Sequence, residues 1–223
     1  MESIARYFSA GGPVMWPILA VLGCALAVII ERLHFYFVTC RDDSAPLVAA
    51  AARALNAGQP DLALRAVAAR RAPLNSILHA ALKRYRDGFS MTEIRQAVDE
   101  AAIREVPRLA ARLGLLSTFA NVATLAGLLG TIFGLQQAFT SLAATDASAK
   151  AAVLAAGISQ AMNTTSFGLM VAIPCLIAHA LLSNLQAGRA EDLDAGAVRL
   201  LNYLDNRLAA PELMLEPAVE ARS

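Results

Sequence analysis

The stretch LGLLSTFANVATLAGLLGTIFGLQQAFTSLAA, residues 113–144, is an apolar run long enough to cross a bilayer, which takes about 20 residues. It carries a small residue at every fourth position, a pattern that lipid contact alone does not require. These residues lie on one side of a helix, where another helix can approach closely. They are Ala126, Gly130, Gly134 and Ala138.

A second arc of the same helix is polar. At 100° per residue, its four side chains fall within a sector of about 80°. They are Ser117, Asn121, Thr124 and Thr131. The sequence therefore predicts a helix with one face for packing and another that carries polar groups.

The composition of the whole chain agrees with a membrane protein. The 223 residues are 57% hydrophobic, whereas soluble domains contain about 45–50% apolar residues. Three segments are long and apolar enough to span a bilayer: residues 13–30, extended by the amphipathic 34–38; 113–144; and 151–185. We therefore expect an all-α membrane protein with three transmembrane helices and long helical cytoplasmic extensions.

The distribution of basic residues predicts the orientation of these spans. Twelve Lys or Arg residues lie between Arg41 and Arg112, whereas only Lys150 lies between the second and third spans. Four more follow the third span, and only Arg6 precedes the first. By the positive-inside rule the long loop and the tail are cytoplasmic, so we expect the N-terminus outside and the C-terminus inside.

These spans divide the chain into six expected segments. They are a periplasmic N-terminus with the first span (1–38), a cytoplasmic helical region (39–112), the second span (113–144), a periplasmic turn (145–150), the third span (151–187), and a cytoplasmic C-terminal helix and tail (188–223). In the cytoplasmic region, Ser90 and Glu93 have the spacing of a helix-capping box. Pro107 predicts a kink or a break before the second span. The short turn makes the second and third spans an antiparallel hairpin.

The third span carries several arcs at helical spacing. Its small-residue arc consists of Gly157, Ala161, Thr165, Gly168 and Ala172. Ser159, Asn163 and Ser166 form a polar arc, and Gln160 with Thr164 forms another. Periodicity alone leaves open which arc faces a pore. Pro174 interrupts the helical hydrogen bonds within the span, so we expect a kink there.

No Asp, Glu, Lys or Arg lies inside the second or third span. A proton path through a membrane normally uses a titratable group, so the carboxylate of such a path would have to come from another chain. Thr131 and Thr165 are the leading hydroxyl candidates for lining the path. The alternative is that they bond to carbonyls of their own or a neighbouring helix. Further candidates for a polar lining are Asn121, Thr124, Gln160, Asn163 and Thr164.

The spacing of cysteine and histidine residues does not suggest a metal site. Cys24, Cys40 and Cys175 are far apart, and the three histidines are equally scattered. We therefore expect no metal, no cofactor and no catalytic residues. The net charge of +1 gives no argument for nucleic acid as a partner.

Three motifs in the chain resemble the ExbB/TolQ family of bacterial inner-membrane motor subunits, which is more distantly similar to MotA. The first is GGPVMWP at 11–17, continuing to Ile30-Glu31-Arg32. The second is AGLLGTIFG at 126–134, with Ala138-Phe139. The third is GISQAM at 157–162, leading to Thr165, Gly168 and Pro174. The resemblance covers roughly residues 11–190.

The resemblance implies a homopentamer that encloses two copies of a single-span, ExbD- or TolR-like partner, whose membrane aspartate carries the proton. Pore threonines of the family fall on Thr131 and Thr165, and its small-residue faces surround the partner helices. This chain has Gln160 where the common family pattern has Glu. The departure bears on how ions enter and on whether protons or sodium ions are used.

The residues and the resemblance together lead to one main hypothesis. The chain is expected to be a non-enzymatic proton-channel subunit in the inner membrane of a diderm bacterium, coupling the proton-motive force to work on the cell envelope. Uptake across the outer membrane, envelope integrity and gliding all remain open as the process driven. The alternative is a membrane scaffold that recruits a partner and conducts no ions.

Overall fold

The computed structural model describes residues 11–40, 44–69, 72–143 and 146–213. Seven α-helices occur in these ranges. They are α1 (Met15–His34), α2 (Ser44–Asn56), α3 (Pro60–Ala68), α4 (Pro73–Arg86), α5 (Met91–Ala110), α6 (Leu113–Leu142) and α7 (Lys150–Leu213), and a π-helical turn at Phe35–Thr39 follows α1. The described ranges contain no β-strand. The predicted all-α class is therefore confirmed.

Three helical stretches are long and apolar enough to cross a membrane, which confirms the expected number of spans. They are Met15–Asn56, Met91–Leu142 and Lys150–Ala209. Several residues used in the sequence arguments lie outside the described ranges. They are Arg6, Arg41, Arg70, Arg71 and Arg222 of the charge argument, and Ala144 and Thr145 at the expected turn.

The chain divides into two compact units. The first consists of the described residues up to Leu33 together with Arg112–Ser183, and it contains α1, α6 and the first half of α7. The second consists of His34–Ala111 together with the residues from Asn184 onward, and it contains α2 to α5 and the rest of α7.

The second unit is built around a hydrophobic core of leucine, isoleucine, valine and alanine side chains. Leu78, Leu82, Ile94, Leu200 and Leu204 are essentially inaccessible to solvent. Burying each such side chain stabilises the fold by about 1.5–3 kcal/mol. The core thus joins α4 and α5 to the C-terminal half of α7.

Local sequence signals explain where the shorter helices begin and end. Pro60 and Pro73 stand in the first turns of α3 and α4, where a missing amide proton costs nothing. Gly88 follows α4 with φ +78°, a left-handed conformation that favours glycine after a helix. Ser90 and Glu93 form the predicted capping box at the start of α5, so this prediction is confirmed.

The break between α5 and α6 does not fall at Pro107, where the sequence predicts a kink or a break. Helix α5 continues past Pro107 and ends at Ala110. The chain leaves the helical conformation at Ala111 (ψ 136°), and Arg112 then takes a positive φ of 64°. The break therefore follows Pro107 by four residues.

Candidate ion pathway and its helix contact

Helices α6 and α7 run antiparallel and pack through small residues in the first unit. A Cβ built on Gly127 would lie 3.3 Å from the Cα atoms of Thr165 and Gly168, and one on Gly134 would lie 3.1 Å from Ala161 Cβ. At one end of the contact, Gly157 meets Ala138. The two backbones are thus close enough that a side chain at these glycines would press against atoms of the facing helix.

Most of the predicted packing residues lie in this contact. Gly130, Gly134 and Ala138 are buried on α6, and Gly157, Ala161 and Gly168 are buried on α7. Ala126 is half-buried, and Gly127 makes the close approach beside it. The strict spacing of four residues missed Gly127 because a helical face also contains positions three residues apart. Pro174 lies within α7, and its side chain is exposed in this single chain.

Thr164 is fully buried in the first unit. Its hydroxyl lies 2.7 Å from the carbonyl oxygen of Gly11 and 2.9 Å from that of Gln160, and its methyl group contacts Gly130. The side-chain amide of Gln160 lies against Gly12. Thr164 and Gln160 therefore hold the residues that precede α1 onto α7, and Thr164 has no surface available to line a path.

The hydroxyls of Thr131 on α6 and Thr165 on α7 both bond to backbone carbonyls of α6. Thr131 Oγ1 donates to the carbonyl of Leu128 at 2.6 Å, and Thr165 Oγ1 donates across the helix contact to the carbonyl of Gly127 at 3.0 Å. The two acceptors belong to consecutive residues. Both threonines are half-buried, so each hydroxyl oxygen keeps lone pairs that can accept a further hydrogen bond.

Thr131 and Thr165 lie on the flank of the hairpin that faces away from the start of α1. Residues Gly11 and Val14 line one cleft together with Phe133, Gln137 and Gln160. At 100° per residue, Thr131 lies about 50° from the centre of the buried arc of α6. Phe133 and Gln137 lie on the opposite side of that centre. Thr165 likewise lies about 70° from the centre of the buried arc of α7, and Gln160 lies on the opposite side of that centre. The geometry thus gives the two threonines a common face.

The remaining polar candidates are placed as follows. Thr124 Oγ1 donates to the carbonyl of Ala120 at 3.0 Å, on the same flank of α6 as Thr131. Asn121 is exposed and lies further round α6, and Asn163 is half-buried on α7. The sequence thus named polar residues that the fold separates into different faces.

The cleft beside α1 was not predicted from the sequence. It has a volume of about 410 Å³ and is lined by three glutamine side chains, by Thr140 and Ser141, and by apolar residues that include Phe133. Thr140 and Ser141 donate their hydroxyl protons to the carbonyls of Gln136 and Gln137 on their own helix. The cluster QQAFTS at 136–141, at the end of an apolar run, was the available signal.

A cluster of charged residues lies at the opposite end of the first unit. Arg32 is buried and donates to the carboxylate of Glu31 at 2.8 Å, and Arg112 forms a second ion pair with the same carboxylate. Glu31 therefore joins the end of α1 to the residue that precedes α6. Among the residues that the structure describes, no group of three or more His, Cys, Asp or Glu side chains could hold a metal ion.

Comparisons with known proteins agree with this architecture. The model of the MotA/TolQ/ExbB proton channel family matches residues 69–195, more than half of the chain. A protein called putative biopolymer transport protein ExbB-like 3, from Synechocystis sp., is 34% identical over 170 residues, covering 75% of this chain and 79% of the relative. A putative ExbB homolog from Methanothermobacter thermautotrophicus is 27% identical over 205 residues, which are 92% of this chain and 70% of the relative.

A weaker likeness is found to a solved structure of MotAB from C. jejuni. It has a TM-score of 0.49 and 18% identity, covering 86% of this chain and 80% of that chain. The assignment follows from the family model and the sequence relatives, and it confirms the resemblance to ExbB and TolQ. The chain is a multi-pass membrane protein that belongs to the MotA/TolQ/ExbB proton channel family, and it is not an enzyme.

Proposed function

We propose that this chain is the stator-type subunit of a proton-driven motor in a bacterial inner membrane, with its N-terminus outside. It assembles as a ring, a pentamer by family resemblance, around a single-span partner of the ExbD or TolR type. The partner supplies the membrane carboxylate, and Thr131 and Thr165 line its path. The energy of proton flow then drives mechanical work on the cell envelope.

The observation that carries this proposal is the paired hydroxyls in a hairpin without charged side chains. Thr131 and Thr165 bond to the carbonyls of Leu128 and Gly127, so one turn of α6 holds both. A hydroxyl held in this way can accept a hydrogen bond from a protonated carboxyl group, and it stays neutral when it does so. Because the spans offer no carboxylate, the acid must approach this face from another chain.

The proposal is tested by proton flux into liposomes that contain the chain with its partner. We expect Thr131→Val and Thr165→Val each to lower the flux by up to about tenfold, since the loss of one hydrogen bond between neutral groups is worth roughly 0.5–1.5 kcal/mol. Valine keeps the shape of threonine, so assembly should persist. Size-exclusion chromatography of the complex checks this point.

Thr118→Val is the matched control. Thr118 also lies on α6 and donates its hydroxyl to its own helix, at 3.1 Å from the carbonyl of Gly114. It lies on the side of α6 that points away from α7, about 170° from the centre of the buried arc. We expect no change in flux from this variant. Unchanged flux in both Thr131→Val and Thr165→Val would reject the role of the hydroxyls. It would favour the alternative function, a membrane scaffold that conducts no ions.

A further inference from the structure

The cleft beside the start of α1 extends deep into the membrane-spanning part of the first unit. Its lining along α6 runs from Ser141, one residue before the helix ends, to Gly130. This part of the helix is about 16 Å long, which is half the thickness of a hydrocarbon core of about 30 Å. The cleft therefore connects the turn end of the α6–α7 hairpin with the middle of the bilayer.

Three carboxamide side chains in the cleft make no hydrogen bond within the described ranges. They are Gln136 and Gln137 on α6, and Gln160 on α7. Each carries two N–H donors and a carbonyl acceptor. Contact with lipid chains is costly for these groups, because hydrocarbon offers them no partner. Water can satisfy all three, so the lining favours water over lipid in the cleft.

The size and the neutrality of the cleft suit a chain of water molecules. Its volume of about 410 Å³ leaves room for roughly a dozen waters at about 30 Å³ each. The described residues that line it include no charged side chain. A proton that crosses the cleft would therefore move along hydrogen-bonded water, without a titrating group in the wall. This agrees with a chain that has Gln160 where the family pattern has Glu.

The cleft ends at the depth of the two candidate threonines. Gly130 is its deepest lining residue on α6, and the methyl group of Thr164 fills the space that a side chain at Gly130 would need. Thr131 and Thr165 are the next residues along the two helices. They lie on the opposite flank of the hairpin, so the contact between Gly130 and Thr164 separates the cleft from the threonine face.

We propose that this cleft is the outer half of the ion route. Water fills it from the outer surface and carries protons to the depth of Thr131 and Thr165, and the Gly130–Thr164 contact closes it toward the face that the partner approaches. This inference rests on the proposed function, which places the α6–α7 turn outside. A closed floor suits a coupled motor, because a continuous water column across the membrane would let protons leak without doing work.

Labelling of single cysteines from outside tests whether the cleft holds water. The full chain is expressed with its partner and carries Cys24→Ala, since Cys24 is exposed, together with either Phe133→Cys or Ile132→Cys. Both positions hold large apolar side chains that are more than half exposed, but only Phe133 lines the cleft. A membrane-impermeant, cationic methanethiosulfonate reagent is added to spheroplasts, and the remaining thiols are counted by mass tagging.

We expect Phe133→Cys to react about tenfold faster than Ile132→Cys, because a thiol ionises to the reactive thiolate in water and stays protonated in lipid. Gln137→Cys, which lies nearer the outer end of the cleft, should react at least as fast as Phe133→Cys. Equal rates at the neighbouring positions 132 and 133 would overturn the proposal. No reaction at either 133 or 137 would also overturn it, since lipid or another chain would then fill the cleft.

Proton flux in liposomes tests whether this water lies on the ion route. The complex of the Gln137→Cys chain with its partner is reconstituted with and without prior modification by the same reagent in detergent. A bulky fixed cation in the cleft displaces water and repels protons, so we expect modification to remove most of the flux. The Cys24→Ala chain without an added cysteine is the control, and its flux should not change. Equal flux from modified and unmodified Gln137→Cys would overturn the route.

The cleft and the threonine path can fail separately. If Thr131→Val and Thr165→Val lower the flux while Phe133→Cys stays unreactive, the threonines line the path and the cleft is not its entrance. If Phe133→Cys reacts and modified Gln137→Cys loses its flux while both threonine variants keep theirs, the outer route is supported and the role of the hydroxyls is rejected.

Discussion

Gly168 sets how closely α6 and α7 approach each other. A Cβ built at this position would lie 2.6 Å from the carbonyl oxygen of Ala123 and 3.0 Å from Gly127 Cα. Both obstacles are backbone atoms, so no side-chain rotation can relieve the overlap. A methyl group at Gly168 would therefore have to push the two helices apart.

We predict that Gly168→Ala destabilises the chain by about 1–3 kcal/mol, the usual cost of overpacking. The measurement is the thermal unfolding midpoint in detergent, followed by circular dichroism. Gly188→Ala is the matched control on the same helix, because nothing lies within 4 Å of a Cβ at that position. An equal midpoint for Gly168→Ala and the control would contradict the close contact.

Single residues show how far sequence reasoning reaches. Spacing identified Gly130, Gly134 and Gly157 because small residues that repeat on one helical face have few other uses in a membrane. It grouped Thr164 with candidates for a polar lining, although the structure packs this residue against Gly11 and Gly130. The contact with Gly11 joins residues 153 positions apart, and periodicity within one helix carries no information about such pairs.

At the scale of elements, the start of α5 is held by two reciprocal hydrogen bonds. Ser90 N donates to the Glu93 carboxylate at 2.9 Å, and Glu93 N donates to Ser90 Oγ at 3.4 Å. Ser90 Oγ also donates to the carboxylate at 2.7 Å. These bonds, first from the side chain and then from the backbone of Ser90, hold the pKa of Glu93 below its ordinary value.

We predict that Glu93→Gln lowers the unfolding midpoint at neutral pH and has no effect in acid. A carboxyl with a lowered pKa in the folded state stabilises the fold above its unfolded pKa of about 4.3, and this contribution disappears as the pH falls through the lowered value. The measurement is the difference between the midpoints of the wild type and the variant as a function of pH.

Glu191→Gln is the control for this titration. Glu191 is exposed on α7, and its carboxylate has no hydrogen bond within the described residues. We expect the midpoint of Glu191→Gln to follow the wild type at every pH. A pH-independent effect of Glu93→Gln would mean that the charge of the carboxylate does not contribute to the capping box.

The α5–α6 junction shows why element boundaries are harder to predict than elements. Pro107 is the conventional breaker that precedes the junction, yet α5 continues through it to Ala110. The break comes where Arg112 takes a left-handed conformation and pairs with Glu31. Arginine shows no sequence preference for positive φ, so tertiary contacts determine this position.

At the scale of the whole molecule, the spans lack the acid that the proposed function needs. We predict that liposomes with this chain alone show no proton flux above empty liposomes, and that adding the partner produces it. The reason is that α6 and the apolar part of α7 contain no Asp or Glu. The measurement is a pH-sensitive dye inside the liposomes. Equal flux with and without the partner would contradict the proposal.

The general architecture could be predicted because the bilayer restricts the choices. Three apolar runs of sufficient length can only become helices, since backbone groups in lipid must bond within their own segment. The third span and the C-terminal helix, expected as separate segments, form one helix, because α7 runs over 64 residues from Lys150 to Leu213. The division of the chain into two units and the cleft beside α1 depend on contacts between distant segments, which hydropathy does not record.

The buried Tyr36 hydroxyl has a consequence for how sequences of this kind can change. It donates to the carbonyl of Leu109 at 2.6 Å, and that carbonyl has no helical partner because the chain leaves α5 at Ala111. The phenol is needed because the backbone turns there. In a relative whose α5 continued directly into α6, the hydroxyl would have no carbonyl to satisfy, and phenylalanine would serve equally well at position 36. Substitutions at positions 36 and 111 should therefore be correlated among relatives.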